Sequence, residues 1–335
     1  MASISEAPLP ISSFMRLRVN FALVRLMLAL ICVGAHADET DNFTLRNARL
    51  QDAGTQLDHK MNEAIRRAVN SANQPSLFKL MGHKCDRAVI ESALRNQVAK
   101  STKVDGVFRE ESDLSIWART SPQVERVEVE FARSIYGTGT LSDRFNVSSN
   151  KRIIYLAPTL QVYGQRVGAD KLSHFIREGL KYFDEDRKGG ERAALHMGEE
   201  TELGMLGKGV TGVKSYADLA ANYAGYRFWK KVMTIGDADS YLACDPKTGR
   251  FSAQKNFSFS EYVNPAWDEA LNCSDYSPDL AKQVRQNLKK MKVGCPVQAG
   301  VCLRLIQYRG WEHFVNPTCS LTAQRVPESN PDMRH

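Results

Sequence analysis

"SYADLAANYAGYRFWKKVM", residues 215–233, decides how this chain is built. Ser215 is a good helix N-cap, and Asp218 three residues later makes an acidic variant of the capping box. Leu219, Tyr223, Tyr226 and Trp229 with Lys230 then recur at helical spacing, which predicts a helix to about Met233. Two residues are out of character there. Asn222 is a mediocre helix former, so its amide is expected to make a specific hydrogen bond. Gly225 costs up to about 1 kcal/mol against alanine, so it predicts a close helix crossing.

Two further helices precede it. "DKLSHF" (170–175) opens one that runs to about Phe183, with Asp170, His174 and Glu178 at i, i+4 and i+8. These three form one stripe, each offset from the last by about 40°. "DEDRKGG" (184–190) reads as a turn, and a helix from Glu191 to about Gly204 carries His196, Glu199, Glu200 and Glu202. If the three stripes converge, they bring together two imidazoles and several carboxylates. Such a set suits proton transfer or a divalent cation. His174, Asp170 and Asp218 form the expected centre of the cluster. Lys171, Glu178, Glu202, Ser215 and Asn222 are the expected ligand contacts, and His174, His196 and Glu200 the candidate metal donors. The bland alternative is a set of wet helix faces with a satisfied histidine.

Outside this central region, 164–230, the signals are coarser. Residues 38–55 are polar and read as a loose lead-in. Leu57, Met61, Ala64, Ile65, Ala68 and Val69 space a helix, and a second stretch runs from about 76 to 100. "SPQVERVEVEFARSIYG" (121–137) fits both periods, and Pro122 at a helix start tips the reading to helix. "RIIYLAPTLQVYGQRVG" (152–168) holds one or two brief strands. Leu280, Val284, Leu288 and Met291 space a last helix. The expected fold is mainly α: a compact helical bundle-like body over 38–236, with an irregular, disulfide-bearing part over 237–335 packed on the same domain.

Residues 1–37 look like a signal peptide. Arg16 and Arg18 precede an apolar run, Leu26–Gly34, and "AHA" at 35–37 is a small-x-small cleavage site. The run is too short to span about 30 Å of hydrocarbon. No other stretch is long and apolar enough for a transmembrane helix. Cleavage removes three arginines and Glu6, so the formal charge falls from +7 to +5. That permits attraction to anionic lipid or a cell-wall polymer. It is not a nucleic-acid footprint, because the basic residues are scattered without interleaved aromatics. The densest basic cluster, Lys282, Arg285, Lys289, Lys290 and Lys292, reads as the wet face of one helix. Cleavage also leaves six cysteines, Cys85, Cys244, Cys273, Cys295, Cys302 and Cys319. An even count in an exported chain reads as disulfides, with Cys244–Cys273 the first expectation from proximity in sequence.

The ordered residues Asp170, Lys171, His174 and Phe175, then Gly198 and Glu202, then Ser215, Asp218, Leu219, Asn222 and Gly225, resemble the VanZ-like group of bacterial envelope proteins and its smaller exported relatives. The match covers roughly 60 residues. It implies a polar cluster shared between helices and a role in the envelope, and no reaction carries over. VanZ-like proteins place these motifs on transmembrane helices; here the helices are too polar for that. Their glutamate is usually followed three residues on by glutamine, whereas Glu202 follows Glu199, so which of Glu199, Glu200 and Glu202 joins the cluster stays open.

The expected function is that of an exported envelope protein, periplasmic or secreted, whose inter-helix cluster binds a ligand or a divalent metal. Two alternatives stand beside it. One is a hydrolase of lipid or cell-wall material with His174 as general base. The other is a structural interaction protein whose cluster is a polar core. No GxSxG, HExxH, Walker loop or dinucleotide-binding glycine pair is present. The export reading predicts a mature N-terminus at Asp38, and intact-mass analysis of the exported protein should show residues 1–37 gone.

Overall fold

The computed structural model describes residues 38–75, 84–104, 109–148, 152–204, 207–298, 300–301 and 312–318. Residues 1–37, Cys302 and Cys319 lie outside these, as do residues 76–83 of the second expected helix. Strand β1 (Asp38–Thr40) comes first and is buried along its length. It corrects the expectation of a loose lead-in. Asp41 then accepts the backbone N–H groups of Phe43, Thr44 and Ile135, which pins the segment to the body. α1 (Gly54–Ala72) buries Leu57, Met61, Ala64, Ile65, Ala68 and Val69, as its spacing requires. α2 (Arg87–Gln97) starts at Asp86, whose carboxylate accepts the Ala88 N–H. The hairpin β2 (Ser101–Val104) and β3 (Arg109–Ser112) leads into α3 (Asp113–Thr120).

Residues 121–137 are not a helix. Val127 exchanges both backbone hydrogen bonds with Thr159 at 2.9 Å, and only Phe131–Arg133 forms a short 3-10 turn. The period-2 pattern of Val127, Val129 and Phe131 wins because a sheet partner is there to take the backbone groups. β4 (Tyr155–Ala157) pairs in parallel with β1, Glu39 opposite Leu156. β5 (Thr159–Val162) and β6 (Gln165–Gly168) form a hairpin. Its two turn residues, Tyr163 and Gly164, sit at φ 47° and 78°, the left-handed pair that a tight I′ turn demands.

The chain then enters α4 (Asp170–Ser173), a π-helical turn (His174–Glu178) and α5 (Gly179–Gly189). The helix therefore continues through the acidic stretch read as a turn, and breaks only at Gly190, φ 81°. α6 (Glu191–Leu203) and β7 (Val213–Lys214) follow. α7 (Tyr216–Met233) starts where its N-cap predicts, with Ser215 Oγ accepting the Asp218 N–H. It is buried on nearly all sides within the apolar core, packed against the π-helical turn, α5, α6 and the Pro265–Trp267 turn. The hairpin β8 (Leu242–Asp245) and β9 (Arg250–Ala253), strand β10 (Asp275–Tyr276) against β7, and α8 (Pro278–Lys290) complete the described chain.

The mainly-α expectation is overturned: the fold mixes helices with ten strands, arranged as five two-stranded pairs among the described residues. Their two to four residues are too short to show a period-2 pattern. Among the described residues, no helix is long and apolar enough to cross a membrane. Among the described residues, two disulfides close the fold, Cys85–Cys244 and Cys273–Cys295. The expected Cys244–Cys273 link is wrong because the β8–β9 hairpin carries Cys244 to Cys85, 159 residues away in sequence. Peptide mapping without reduction should recover both pairs. Replacing Cys85 and Cys244 together by serine should cost about 2–4 kcal/mol in urea unfolding.

Candidate functional site

The site forms where the π-helical turn crosses α7. A π turn rotates its carbonyls off the α-helical ladder, and such turns recur at functional positions. Here the Ile176 carbonyl accepts Trp229 Nε1–H at 2.8 Å. A Cβ on Gly225 would lie 1.9 Å from the Phe175 carbonyl oxygen, and one on Gly179 would lie 2.6 Å from Gly225. Only glycine fits at this crossing, which is the close approach that Gly225 predicted. The contact brings Asp170, Lys171 and His174 against the first turns of α7.

At the centre is Lys171, whose side chain is wholly buried. Its ammonium lies 2.8 Å from Asp170 Oδ2, 2.5 Å from Asp218 Oδ1 and 2.6 Å from Glu269 Oε1. The three acids come from α4, α7 and the turn after Trp267. Neighbouring hydroxyls complete the shell. Thr40 donates to Asp170 at 2.8 Å, Ser215 to Glu269 at 3.3 Å, and Thr211 to Glu39 at 2.6 Å. Ser215 therefore both caps its helix and joins the cluster.

His174 lies at the rim of the same group. Its Nδ1 is 2.9 Å from Asn222 Oδ1, and its Nε2 is 3.4 Å from Asp218 Oδ2. Asn222 thus has the specific partner expected of it. Asp218 is a site residue rather than a capping one, since its carboxylate faces Lys171 and His174. Asp170, His174 and Asp218 each offer a ligand atom within 4.8 Å of the others, and the three could hold a metal ion.

Acids outnumber cations here. Glu39, Glu202, Asp170, Asp218 and Glu269 are all buried, against one lysine and one histidine. Burial pushes the Glu202 carboxyl well above its usual range, and Asp218 and Glu178 push it further. Among the described residues, neither Glu202 oxygen has a hydrogen-bond partner. Burial likewise raises Glu39, helped by Glu269 and Asp218. Glu269 is pushed up to about 8, chiefly by burial and against the pull of Lys171. For Asp170 burial works upward, but Lys171, His174 and the hydroxyl of Thr40 outweigh it and hold its pKa below the ordinary value. Lys171 is the mirror case: burial would neutralise it, and its three acids keep it charged. A protein interior rejects charge unless it is paired, so burial favours the protonated form of the acids that the lysine does not fully compensate.

The central region is therefore assembled as its motifs suggested, with exceptions. Glu202, of the three candidate glutamates, is the one turned inward. His196 and Glu200 form a pair 3.6 Å apart, each side chain about 70% exposed, and take no part in the cluster. Lys171 is an internal counter-ion, with no surface left to meet a ligand. Glu178 is buried at the edge and pairs with Lys181 at 2.7 Å. Sequence reading missed Glu269, Glu39 and Thr40. Glu269 lies in an irregular segment, "NPAWDEALNC", without periodicity, and its one signal is an acid pair between Trp267 and Leu271.

No family model, no curated protein and no solved structure matches this chain. The site is read from its own chemistry.

Lys171→Met would strand three buried carboxyls and should cost about 3–5 kcal/mol in urea unfolding. Glu269→Gln, which keeps the shape and removes one acid, should cost less. Glu39, Glu202 and Glu269 all have folded pKa values above their unfolded ones. The folded state then binds protons more tightly, so their stabilising contribution is complete below the ordinary glutamate value of about 4.5 and is lost as pH rises through each raised value, about 8 for Glu269. Asp170 acts oppositely, since its lowered pKa confers stability above 3.8 that disappears at lower pH. The urea midpoint should fall between about pH 5 and pH 8, and Glu202→Gln should flatten that fall.

Proposed function

We propose that this is an exported envelope protein that binds one divalent transition-metal ion at Asp170, His174 and Asp218. The observation that carries the reading is the converging donor set, three ligand atoms within 4.8 Å. It lies in a cluster with more acid than its own cations can pair. Imidazole combined with carboxylates suits zinc or manganese better than magnesium. The two disulfides and the lack of a membrane-crossing helix among the described residues support a place outside the cytoplasm, periplasmic or secreted. Zinc or manganese entering the site competes with the Lys171 ammonium for Asp170 and Asp218. Glu269 remains as an acid for that lysine.

A second reading is supported by Lys171 itself. An ammonium with no exposed surface, paired to acids on three separate segments, is what a structural lock requires. A hydrolase with His174 as general base has less support. Both ring nitrogens face protein side chains, Asn222 and Asp218, where a base needs one directed at a nucleophile or substrate. Ser173 does not serve as that nucleophile, since its Oγ accepts the Ser112 N–H.

Equilibrium dialysis decides between the first two. After treatment with chelator, the protein should take up one equivalent of Zn²⁺ or Mn²⁺, more weakly at lower pH because the donors must be deprotonated. His174→Gln should weaken uptake at least tenfold at unchanged fold. Wild-type protein that retains neither ion above background, and in which His174→Gln costs stability alone, would leave the lock reading.

A further inference from the structure

The basic helix and one exposed loop remain outside the cluster, and they adjoin each other. Residues 138–145, "TGTLSDRF", form a short 3-10 turn, Leu141–Phe145. Its end is fixed by Asp143, which accepts the backbone N–H groups of Thr138, Gly139 and Thr140 and the Thr138 hydroxyl. This rigid turn carries its two largest apolar side chains outward: Leu141 is 68% and Phe145 71% exposed. Ile153, paired to Val147 just beyond the turn, is 41% exposed. A well-braced turn that offers leucine and phenylalanine to water is costly unless it meets an apolar phase.

The charge around it identifies that phase. Arg133 and Arg144 are exposed and make no ion pair among the described residues. α8 is tied to the segment leading into the turn, with Gln283 donating to the Tyr136 carbonyl and Asn287 to those of Ile135 and Gly137. Its buried side is Leu280, Val284 and Leu288, so Lys282, Arg285, Lys289 and Lys290 lie on its outer side. Lys290 reaches Asn287 at 3.4 Å, next to the turn.

We propose that the Leu141–Phe145 turn and the outer face of α8 form a docking surface for an anionic lipid bilayer. The apolar side chains enter the headgroup boundary and the lysines and arginines meet the lipid phosphates. Peripheral proteins held by this combination bind reversibly and depend on both terms. The metal reading is not needed for this inference, and its test is separate.

Flotation of the disulfide-bonded protein with vesicles of phosphatidylcholine and phosphatidylglycerol at 3:1 tests it. Binding should be strong at 0.1 M salt, fall at 0.5 M salt, and be at least about tenfold weaker to pure phosphatidylcholine. Leu141→Ser with Phe145→Ser should weaken it about tenfold or more, as should Lys282→Gln, Lys289→Gln and Lys290→Gln together, with melting temperatures unchanged. Equal binding to both vesicle types, or no binding to either, would overturn the proposal. So would a concentration-dependent dimer abolished by Phe145→Ser, which would assign the face to a second copy.

Discussion

The fold depends on one buried ammonium. Lys171 is surrounded by Asp170, Asp218 and Glu269 at 2.5–2.8 Å, and all four side chains are buried. Ion pairs of this kind add little net stability when complete, because desolvation offsets the attraction. Their effect is on alternatives. A packing that displaced α7 or the segment after Trp267 would leave an unpaired charge in the interior, at a cost of several kcal/mol. The cluster therefore specifies how α4, α7 and the Glu269 turn meet. Phe175, Phe228, Phe257 and Trp267 pack together in the apolar core beside it.

That specification needs room, and the π turn provides it. If an α-helix continued from Asp170 through Glu178, the Phe175 and Ile176 carbonyls would stay inside its own hydrogen-bond ladder. In the π turn they point toward α7, where Gly225 leaves space and Trp229 donates a hydrogen bond. The partner helix thus supplies a side-chain donor to one carbonyl of the turn, that of Ile176. The same close crossing brings His174 into reach of both Asn222 and Asp218, which lie one turn apart on α7.

What the sequence revealed follows the range of each interaction. The three central helices, the Ser215 cap, the Gly225 crossing and the Asn222 contact were legible because each is a local pattern of residues on one helix. That Asp170 and His174 meet Asp218 was an expectation that two helical stripes converge, and the three do lie together. The strand pairs were not, since two to four residues give no period to read. The Cys85–Cys244 pairing and the role of Glu269 were hidden by distance along the chain, where no local rule applies. Lys171 was misjudged in kind. A lysine beside an aspartate on a helix is ordinarily a solvated pair, and only the arrival of Asp218 and Glu269 makes it a core residue.

The least visible contribution comes from the start of the described chain. Asp38 to Asn42 resembles a solvated linker in composition, yet every one of these residues is buried. Asp38 pairs with Arg119, Glu39 with Thr211, Thr40 with Asp170, and Asp41 with three backbone N–H groups. Charged residues can fill an interior strand only because their partners come from elements already fixed, α3, α4 and the loop before β7. The segment therefore depends on those elements, since Asp38 to Asn42 contain no apolar residue and are held by polar partners alone. A chain cleaved after Ala37 would begin on this strand, one residue from Glu39 and two from the hydroxyl of Thr40. The surplus of buried acid is then completed by the residues that follow the expected cleavage site, and the cluster is finished only when that first strand is in place.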